Sequence, residues 1–486
     1  MNVVLVLLTT VPLLGAAVAL LGHQRATETV TALLGAGSFG LAIVLMPHVS
    51  HGALQFGFLR ADAVSVVFLL GTTFLYAAAS IYAIGYLRSD PENTDPSGYS
   101  RRFYLGLNLF AWSMMCAPLV DGLALLWVAV EITTVVSALL VAADRTDSAA
   151  EASWKYVLLA SAGLGLGLLA TIVMYYAGST TLGQSFDLAF GPLLKAGHAL
   201  PHTAVQLAFV LSIVGFGTKV GLFPVHTWLP DAHSEAPTPV SALLSGSLLA
   251  VSFYAILRYY QVAVGTLGPR FSGTVMLVFG VLSLLLAALY LIEQRNVKRL
   301  LAYSSVEHMG ILAIGVSFGA PIAMAGVLLH VIAHAAAKGN AFFGAGVLVR
   351  KYGTKDIAAI RSGLDVLPWT APLFLFGILA LSAFPPFGIF RSEFQIVAGG
   401  LGSGTHLPAV VLVGLVTLAF FGLSIATTRM VYTPGGGQAL LRGEPSGWMV
   451  APMVAGILVL LLLGIHPPEA LAALLHQGAL ELGGAS

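Results

Sequence analysis

Charged residues are scarce in this chain. Only 9% of its 486 residues are Asp, Glu, Lys or Arg, whereas 58% are hydrophobic. A soluble domain is typically about 25% charged, so this composition excludes a soluble protein of this length. The net charge of +1 gives no reason to expect a nucleic-acid partner. We therefore expect an all-α polytopic membrane protein that lies in a lipid bilayer.

Cysteine is scarcer still, because Cys116 is the only one in the chain. A single cysteine excludes an internal disulfide, a cysteine cluster for iron–sulfur and a haem-type cysteine spacing. A glycine-rich phosphate loop after a strand is missing too. The sequence therefore predicts no catalytic residue, no bound cofactor and no redox centre in this chain.

The N-terminus lacks the basic residues of a secretory signal peptide. No Lys or Arg precedes Arg25, although residues from Val3 to Leu21 are almost all apolar. A signal peptide needs a positively charged n-region, so a first transmembrane helix fits this stretch better.

Long apolar segments fill the rest of the sequence. A helix that spans a bilayer needs about 20 predominantly apolar residues. On that template the chain is expected to have about fourteen transmembrane helices. They lie near residues 3–22, 27–47, 62–86, 103–119, 122–143, 152–176, 203–223, 239–262, 272–292, 302–318, 322–349, 368–398, 408–432 and 447–465.

The basic residues are distributed unevenly between the two sides of the membrane. Numbered from the N-terminus, the odd connections hold fourteen of them and the even connections hold four. The four are Arg60, Lys195, Arg258 and Arg270. Lys and Arg are enriched on the cytoplasmic side, so the odd connections are expected to be cytoplasmic and both termini outside. The remaining basic residues lie inside predicted segments and are Lys155, Lys219, Lys338 and Arg391.

Two predicted helices are interrupted by proline, and each break has an ionisable residue close by. The seventh is broken at residues 221–224, just after Lys219, and the twelfth at 384–388, just before Glu393. A single proline would be read as a simple kink. Paired interrupted segments instead indicate inverted repeats with a site near the membrane midplane.

These breaks suggest a division of the chain into repeats. Segments 4–8 and 9–13 are expected to form two five-helix repeats, and the odd number of helices in each inverts the second copy. The expected divisions are an N-terminal three-helix segment at 1–100, a first repeat at 101–262, a second repeat at 263–432, and a C-terminal helix and tail at 433–486.

The first candidate site is a lysine and a glutamate in neighbouring segments. Lys219 lies about sixteen residues into the seventh segment, too deep for its ammonium to reach the interface easily. Glu131 lies in the middle of the fifth segment. Ionisable residues inside a membrane are costly and are read by default as functional. We expect the two to form a pair whose separation releases a proton, a static buried ion pair being the alternative.

The eleventh segment supplies a second candidate site. His330, His334 and Lys338 are spaced i, i+4 and i+8, so they share one helix face. Histidine titrates near neutral pH and suits a proton relay. Two histidines at i, i+4 also suit zinc, but no acidic or thiol ligand accompanies them on this helix. The sequence therefore favours a relay over a metal site, with Glu393 at its far end; structurally satisfied histidines are the third reading.

Several further ionisable residues are expected to be accessory. Glu151 and Lys155 are i, i+4 neighbours, which suits a stabilising pair as well as a proton entry. The polar stretch after the first break suits either loop chemistry or an exit path, and Arg391 has no assigned partner. The accessory candidates are Glu151, Lys155, His226, His233, Glu307, His308 and Arg391.

Three stretches together resemble one known superfamily. They are GTKVGLFPVHTWLPDAHSEAPTPVSALLSG, LLAYSSVEHMGIL at 300–312 and HVIAHAAAKGNAFF at 330–343. The chain resembles the proton-translocating antiporter-like subunits of respiratory complex I, Mrp cation/proton antiporters and group 4 membrane-bound hydrogenases. Within that superfamily it looks most like the hydrogenase-4 and formate-hydrogenlyase component F class.

The resemblance implies a role for each candidate residue. It places a fifth-helix glutamate at Glu131, a seventh-helix lysine at Lys219, an eleventh-helix relay at His330, His334 and Lys338, and a twelfth-helix terminal residue at Glu393. One departure concerns the eighth helix, where Ala250 stands in place of the lysine of some members. Water or a residue such as His308 is then required to join the two half-channels.

The expected function is that of a proton-translocating subunit of a redox-driven complex in the prokaryotic cytoplasmic membrane. Its expected partners are other membrane subunits and a peripheral iron–sulfur or hydrogenase-type arm, which would make the chain part of an oxidoreductase complex. Two alternatives remain. One is an Mrp-type Na⁺/H⁺ antiporter subunit, and the other is a non-pumping scaffold, suggested by the unfilled eighth helix.

Overall fold

A computed structural model describes residues 1–50, 52–89, 96–434 and 440–483. Within these residues almost all of the chain is helical, as the apolar composition predicts. The N-terminal half contains α1 (Asn2–Leu20), α2 (Gln24–Val49), β1 (Leu54–Phe56), β2 (Leu59–Ala61), α3 (Ala63–Arg88), α4 (Pro96–Cys116), α5 (Leu123–Val141), α6 (Asp147–Leu182), α7 (Phe190–Ala196), α8 (His202–Val220), α9 (Leu229–Glu235), α10 (Thr238–Leu243) and α11 (Leu249–Leu267).

The C-terminal half continues in the same manner. It contains α12 (Pro269–Leu291), α13 (Val297–Ser317), α14 (Pro321–Tyr352), α15 (Gly363–Val366), α16 (Thr370–Leu381), α17 (Gly388–Gly402), α18 (His406–Tyr432), α19 (Gly447–Ile465) and α20 (Glu469–Leu482).

Twelve helices among the described residues are long and apolar enough to cross a membrane, counting α10 and α11 as one. Of the fourteen expected segments, the fourth corresponds to α4 and the twelfth to the shorter pair α16 and α17. These two segments fall outside the twelve, so the polytopic all-α class is confirmed while the count of fourteen stays a prediction. The divisions into repeats stay predictions as well.

Both predicted interruptions are present. The first separates α8 from α9 and the second separates α16 from α17. Each break contains a proline, which has no backbone N–H and cannot continue the helical ladder. In a bilayer the freed backbone groups need other partners, so both breaks are expected to lie within protein.

The all-α prediction missed one small feature. Strands β1 and β2 form an antiparallel hairpin between α2 and α3. Residues 57 and 58 form its two-residue connection, with Gly57 at φ +59°, a conformation that favours glycine. The hairpin leads directly to Asp62, whose side chain accepts a hydrogen bond from Ser65 N and so caps α3.

The centre of the molecule is made of four elements that are buried on nearly all sides. They are α3, the α10–α11 unit, α13 and α14. In the outer helices, less than two fifths of the residues in the most apolar 18-residue stretch are buried. These helices include α1, α2, α6, α12, α18 and α19. Their remaining apolar surface matches the lipid contact expected from the composition. Ionisable residues on the central helices are therefore shielded from lipid by protein.

Candidate functional site

Lys219 lies at the end of α8, immediately before the first break. Its side chain is fully buried, and its Nζ donates a hydrogen bond to Thr134 Oγ1 on α5. The same Nζ lies 5.2 Å from the centroid of the Tyr156 ring on α6. The ammonium group is therefore held by a hydroxyl group and an aromatic face, two weak neutral partners for a full charge.

The break after Lys219 is formed by local sequence and closed by neighbouring helices. Gly221 adopts φ +81° and ends α8, a role for which glycine is suited. The indole of Trp228 donates to the carbonyl of Thr218 at 2.7 Å, which also accepts from Gly221 N at 3.3 Å, and Ser283 Oγ accepts from Phe223 N at 2.9 Å. The bond to Ser283 satisfies a backbone N–H that the break would otherwise leave unpaired.

Glu131 lies one turn before Thr134 on α5, near Lys219 but not in direct contact with it. One oxygen accepts from Ser161 Oγ at 3.1 Å, and the other oxygen is buried without a partner. No ion pair within 4.0 Å joins it to Lys219, because the lysine is bound to Thr134 instead. The two charges still interact at longer range.

The second buried lysine, Lys338, lies on α14 and faces α13. Its Nζ donates to Leu301 O at 2.9 Å and to Ser304 Oγ. Glu307, on the same α13 helix, is close enough for its charge to interact with Lys338, and its Oε2 is buried without a partner. This lysine therefore resembles Lys219: a neutral acceptor binds the ammonium while a carboxyl group lies nearby.

The predicted row on α14 is present, and α13 adds a third imidazole to it. His308 Nδ1 and His330 Nε2 lie 3.0 Å apart, and the rings of His308 and His334 have centroids 5.0 Å apart. Both nitrogens of His334 are without a protein partner. His308 therefore lies beside the α14 row, and the role suggested for it from the sequence, joining the two half-channels, stays a prediction.

Glu393 lies beside this row on α17. Its Oε1 is buried without a partner, and the preceding residue, Ser392, lies 2.9 Å from His330 Nδ1 through its hydroxyl oxygen. Ligand atoms of His308, His330 and Glu393 all lie within 4.8 Å of one another. Arg391 is directed away from Glu393, and its guanidinium group approaches the carbonyls of Gly464 and Ile465.

Serines precede Ala250, the eighth-helix position without a lysine. A π-helical stretch, Leu244–Leu248, joins α10 to α11. Ser245 Oγ lies 2.7 Å from Ser305 Oγ on α13, and Ser247 donates to Thr72 on α3 at 2.8 Å. A hydroxyl pair thus connects α13 with the eighth segment five residues before Ala250, where the sequence suggested a gap.

His233 and His226 follow the first break. His233 is fully buried on α9; its Nδ1 lies 2.8 Å from Leu229 O, and its Nε2 has no partner. It is near enough to Lys338 for their charges to interact. His226 is also buried, with Nδ1 unpartnered. Of these two histidines, His233 is therefore the one near the Lys338 site.

An ion-pair network covers this region on the predicted cytoplasmic side. Lys155 contacts Glu151 at 2.6 Å and Asp231 at 3.3 Å, so both sequence readings of Glu151 and Lys155 remain open. Glu235 accepts from Lys355 at 2.9 Å. Burial opposes ionisation of Glu235, but the hydrogen bond and charge of Lys355 outweigh it and lower its pKa. A cavity of about 200 Å³ lies among these side chains and Asn296 and Arg299.

Sequence reasoning missed a buried charged cluster at the N-terminal end of α3. Arg258 was counted in a connection, whereas the structure places it within α11 at 1% exposure, bound to Asp62 at 2.6 Å. Glu481 on α20 accepts from the backbone N–H groups of Ala63 and Val64 at 3.3 and 3.2 Å. The signal was available, since Arg258 and Asp62 both lie inside predicted apolar segments.

The pKa values of the two acids in this cluster are shifted in opposite directions. Burial opposes ionisation of Asp62, but the charges of Arg258 and Arg60 outweigh it and lower the pKa. Burial and the negative charge of Asp62 raise the pKa of Glu481 to about 7. Glu481 is therefore the acid of this cluster that titrates near neutral pH.

Known proteins resemble this chain in both sequence and fold. The family model described as NADH:quinone oxidoreductase/Mrp antiporter, TM, matches residues 121–421. The hydrogenase-4 component F homolog of Methylacidiphilum infernorum (isolate V4) is 34% identical over 417 residues, covering 85% of this chain and 86% of the relative.

Two solved structures have the same fold at low sequence identity. A chain of the Mrp complex from Dietzia sp. DQ12-45-1b superposes with a TM-score of 0.86 at 20% identity, covering 99% of this chain and 98% of the other. A chain of respiratory complex I from Thermus thermophilus gives a TM-score of 0.83 at 23% identity, covering 99% and 100%. The predicted resemblance is confirmed, and the chain belongs to the NADH:quinone oxidoreductase/Mrp antiporter transmembrane family.

Proposed function

We propose that this chain is a proton-translocating membrane subunit of a redox-driven complex of the hydrogenase or complex I type. The proposal places it in a prokaryotic cytoplasmic membrane with both termini outside. It is supported by the 34% identity to a hydrogenase-4 component F homolog over most of both chains. The residue that carries the mechanism is Lys219, a fully buried ammonium group bound by a neutral hydroxyl.

A buried charge held only by neutral groups is costly, so its protonation state responds to small changes around it. Lys219 and Lys338 both have this arrangement, each with one carboxyl group near but not bound to it. A shift that brings the carboxyl group closer favours proton uptake by the lysine. A shift that moves it away favours release. Each lysine site is therefore suited to loading and unloading a proton.

The proposed route joins these two sites. Protons enter near Glu151 and Lys155 and load Lys219, whose charge responds to Glu131. They cross the central helices by way of His233 and the Ser245–Ser305 hydroxyl pair to Lys338. The residues of the second half are Lys338, His334, His308, His330 and, at the far end, Glu393, with Glu307 beside Lys338.

The energy for this transport has to come from a partner. Moving one charge against 100 mV costs about 2.3 kcal/mol. The sequence predicts no redox centre or fuel site in this chain. The proposal therefore includes further membrane subunits and a peripheral iron–sulfur or hydrogenase-type arm that drives the movement of charge.

The test is proton uptake by the whole complex in reconstituted vesicles. Lys219→Ala is expected to abolish uptake while the complex still assembles. Lys195→Ala is the matched control, because this lysine is exposed in the connection before α8 and is expected to leave uptake intact. Unchanged uptake in Lys219→Ala contradicts the proposal and favours a scaffold that does not pump.

A second candidate function is that of an Mrp-type Na⁺/H⁺ antiporter subunit. The observation that favours it is the TM-score of 0.86 to a chain of an Mrp complex. The two functions differ in what drives them. Proton flux that depends on a Na⁺ gradient and needs no electron donor supports the antiporter, whereas flux that depends on an electron donor supports the redox-driven subunit.

A further inference from the structure

Three helices bring metal-ligand side chains to one buried point. His308 comes from α13, His330 from α14 and Glu393 from α17, and one ligand atom of each lies within 4.8 Å of the others. The two histidines are fully buried and Glu393 is 8% exposed. The objection to a metal site on α14 alone was the lack of an acidic ligand. The fold removes that objection, because the acid is supplied by α17.

The donor atoms and their spacing suit a divalent transition metal. Two imidazole nitrogens and one carboxylate oxygen are a ligand set found around zinc in proteins, with the fourth position left to water. A tetrahedral zinc ion with Zn–N distances of about 2.0–2.1 Å holds its nitrogens about 3.3 Å apart. His308 Nδ1 and His330 Nε2 already lie 3.0 Å apart, so binding requires only a small adjustment.

Ser392 fixes the tautomer that a metal needs. Its hydroxyl donates to Ile389 O at 2.8 Å, so its oxygen is left to accept from His330 Nδ1–H at 2.9 Å. A hydroxyl group has only one proton to donate, and we therefore assign the His330 proton to Nδ1. The lone pair of Nε2 is then directed at the site. Supporting bonds of this kind orient the ligands of known metal sites.

The charge balance also favours a cation. Glu393 Oε1 and Glu307 Oε2 are buried without partners, and the two carboxyl groups are close enough for their charges to interact. A divalent ion offsets the negative charge of an ionised carboxylate, which lowers the cost of burying both. Lys338 lies two helical turns from His330 and is bound to α13 through Leu301 and Ser304, so it is not among the ligands.

Glu393 also lines a cavity of about 400 Å³ between α17 and α18, whose wall includes the exposed rings of Phe390 and Phe394. The carboxylate end of the site is therefore bordered by open space, while the two histidines lie behind it within the bundle.

We propose that His308, His330 and Glu393 form a binding site for a divalent metal ion of the zinc class. An ion at this site occupies the lone pairs that a proton relay needs, so it inhibits transport; this second part rests on the proposed function. The site is an inhibitory one, separate from any metal that a redox partner holds.

The binding test uses the whole complex, stripped with chelator, equilibrated with Zn²⁺ alone and washed before its zinc content is measured. The wild-type complex is expected to keep one zinc ion per chain more than His308→Gln or Glu393→Gln. His334→Gln is the matched control, since this histidine is buried on the same face of α14 but lies outside the three-ligand set. Equal zinc in wild type and Glu393→Gln, or equal loss in His334→Gln, overturns the proposal.

A second variant leaves all three ligands in place. Ser392→Ala removes only the group that orients His330 and is expected to weaken zinc binding about 10- to 100-fold. The zinc concentration that halves proton uptake, relative to the uptake of the same variant without zinc, should rise by the same factor. Unchanged zinc affinity in Ser392→Ala contradicts the orienting role on which the site depends.

The two proposals fail separately. Zinc content is measured at equilibrium and does not depend on proton movement, so a failure to bind zinc leaves the Lys219→Ala result untouched. Zinc binding in a complex whose proton uptake is insensitive to Lys219→Ala supports the metal site and rejects the proposed route.

Discussion

Gly215 allows the close approach of α8 to α6 that positions Lys219. A Cβ atom at Gly215 would lie 2.4 Å from Gly167 N, 2.8 Å from Gly167 Cα and 3.0 Å from Gly163 O. All three are backbone atoms, which cannot rotate away as a side chain can. Gly215→Ala therefore forces the two helices apart by about 1 Å, and overpacking of this kind costs about 1–3 kcal/mol.

The displacement also reaches the candidate site. Lys219 lies one turn after Gly215 on α8, and its ammonium group is bound to Thr134 on α5. Hydrogen bonds to charged groups contribute about 1.5–3 kcal/mol. Loss of that bond corresponds to roughly a 10- to 100-fold change in an equilibrium, so proton uptake by Gly215→Ala is expected to fall by at least about tenfold.

The assay compares Gly215→Ala with Gly165→Ala. Gly165 lies on the partner helix α6, and a Cβ there would meet no atom within 4 Å. Both changes gain the helix propensity of alanine, about 1 kcal/mol, so a difference between the variants reports the contact alone. Thermal unfolding of the purified complex and proton uptake in vesicles are the two measurements. If the two variants unfold and pump alike, the argument from close helix packing is refuted.

Three further predictions concern charged groups outside the proposed route. The pKa of Glu481 is raised to about 7, so its protonated form stabilises the docking of α20 at low pH, and this stability is lost as pH rises through 7. Hydrogen exchange of α20 between pH 5 and 8 measures that dependence, and Glu481→Gln should abolish it. Arg258→Met leaves the Asp62 carboxylate buried without its main partner and should cost about 3–5 kcal/mol, whereas Arg258→Met combined with Asp62→Asn should recover most of it in thermal unfolding. Lys355→Met removes the partner that lowers the pKa of Glu235 and should destabilise the protein mainly above pH 5. The loss should be about 1 kcal/mol or less, because both groups are partly exposed. An equal loss of stability at pH 4 would contradict this prediction.

The fold class and the position of the breaks could be predicted because they follow from local chemistry. Apolar runs of spanning length predict transmembrane helices, and proline interrupts a helix wherever it stands in the interior. The i, i+4, i+8 spacing placed His330, His334 and Lys338 on one face without knowledge of their neighbours. Position within a single helix was therefore accessible from the sequence.

Contacts between helices were not accessible in the same way. The sequence placed Glu131 near Lys219, but it could not show that Thr134 is the direct partner, because helix rotation determines which of these two residues, one turn apart on α5, meets the lysine. His308 was named as one candidate for joining the half-channels, but its contact with His330, set by the rotation of α13, could not be read from the sequence. These outcomes depend on rotation about the helix axis, which hydrophobic pattern fixes poorly in helices that are apolar on all sides.

The serines of the π-helical stretch Leu244–Leu248 were read as a gap for a related reason. The family resemblance implies one ionisable side chain at the position of Ala250. Which of the serines faces α13 depends on helix rotation, which hydrophobic pattern fixes poorly in a helix that is buried on all sides. Ser245, five residues earlier, is the one that reaches Ser305.

The bonds from Glu481 to the start of α3 have a consequence for synthesis. The backbone N–H groups of Ala63 and Val64 are satisfied by a side chain more than 400 positions later in the chain. At about 5–20 residues per second, a ribosome needs roughly 20 to 80 seconds to make that intervening sequence. The N-terminal end of one of the most buried helices thus remains incomplete until nearly the whole polypeptide has been made, so α20 completes the assembly of a helix made long before it.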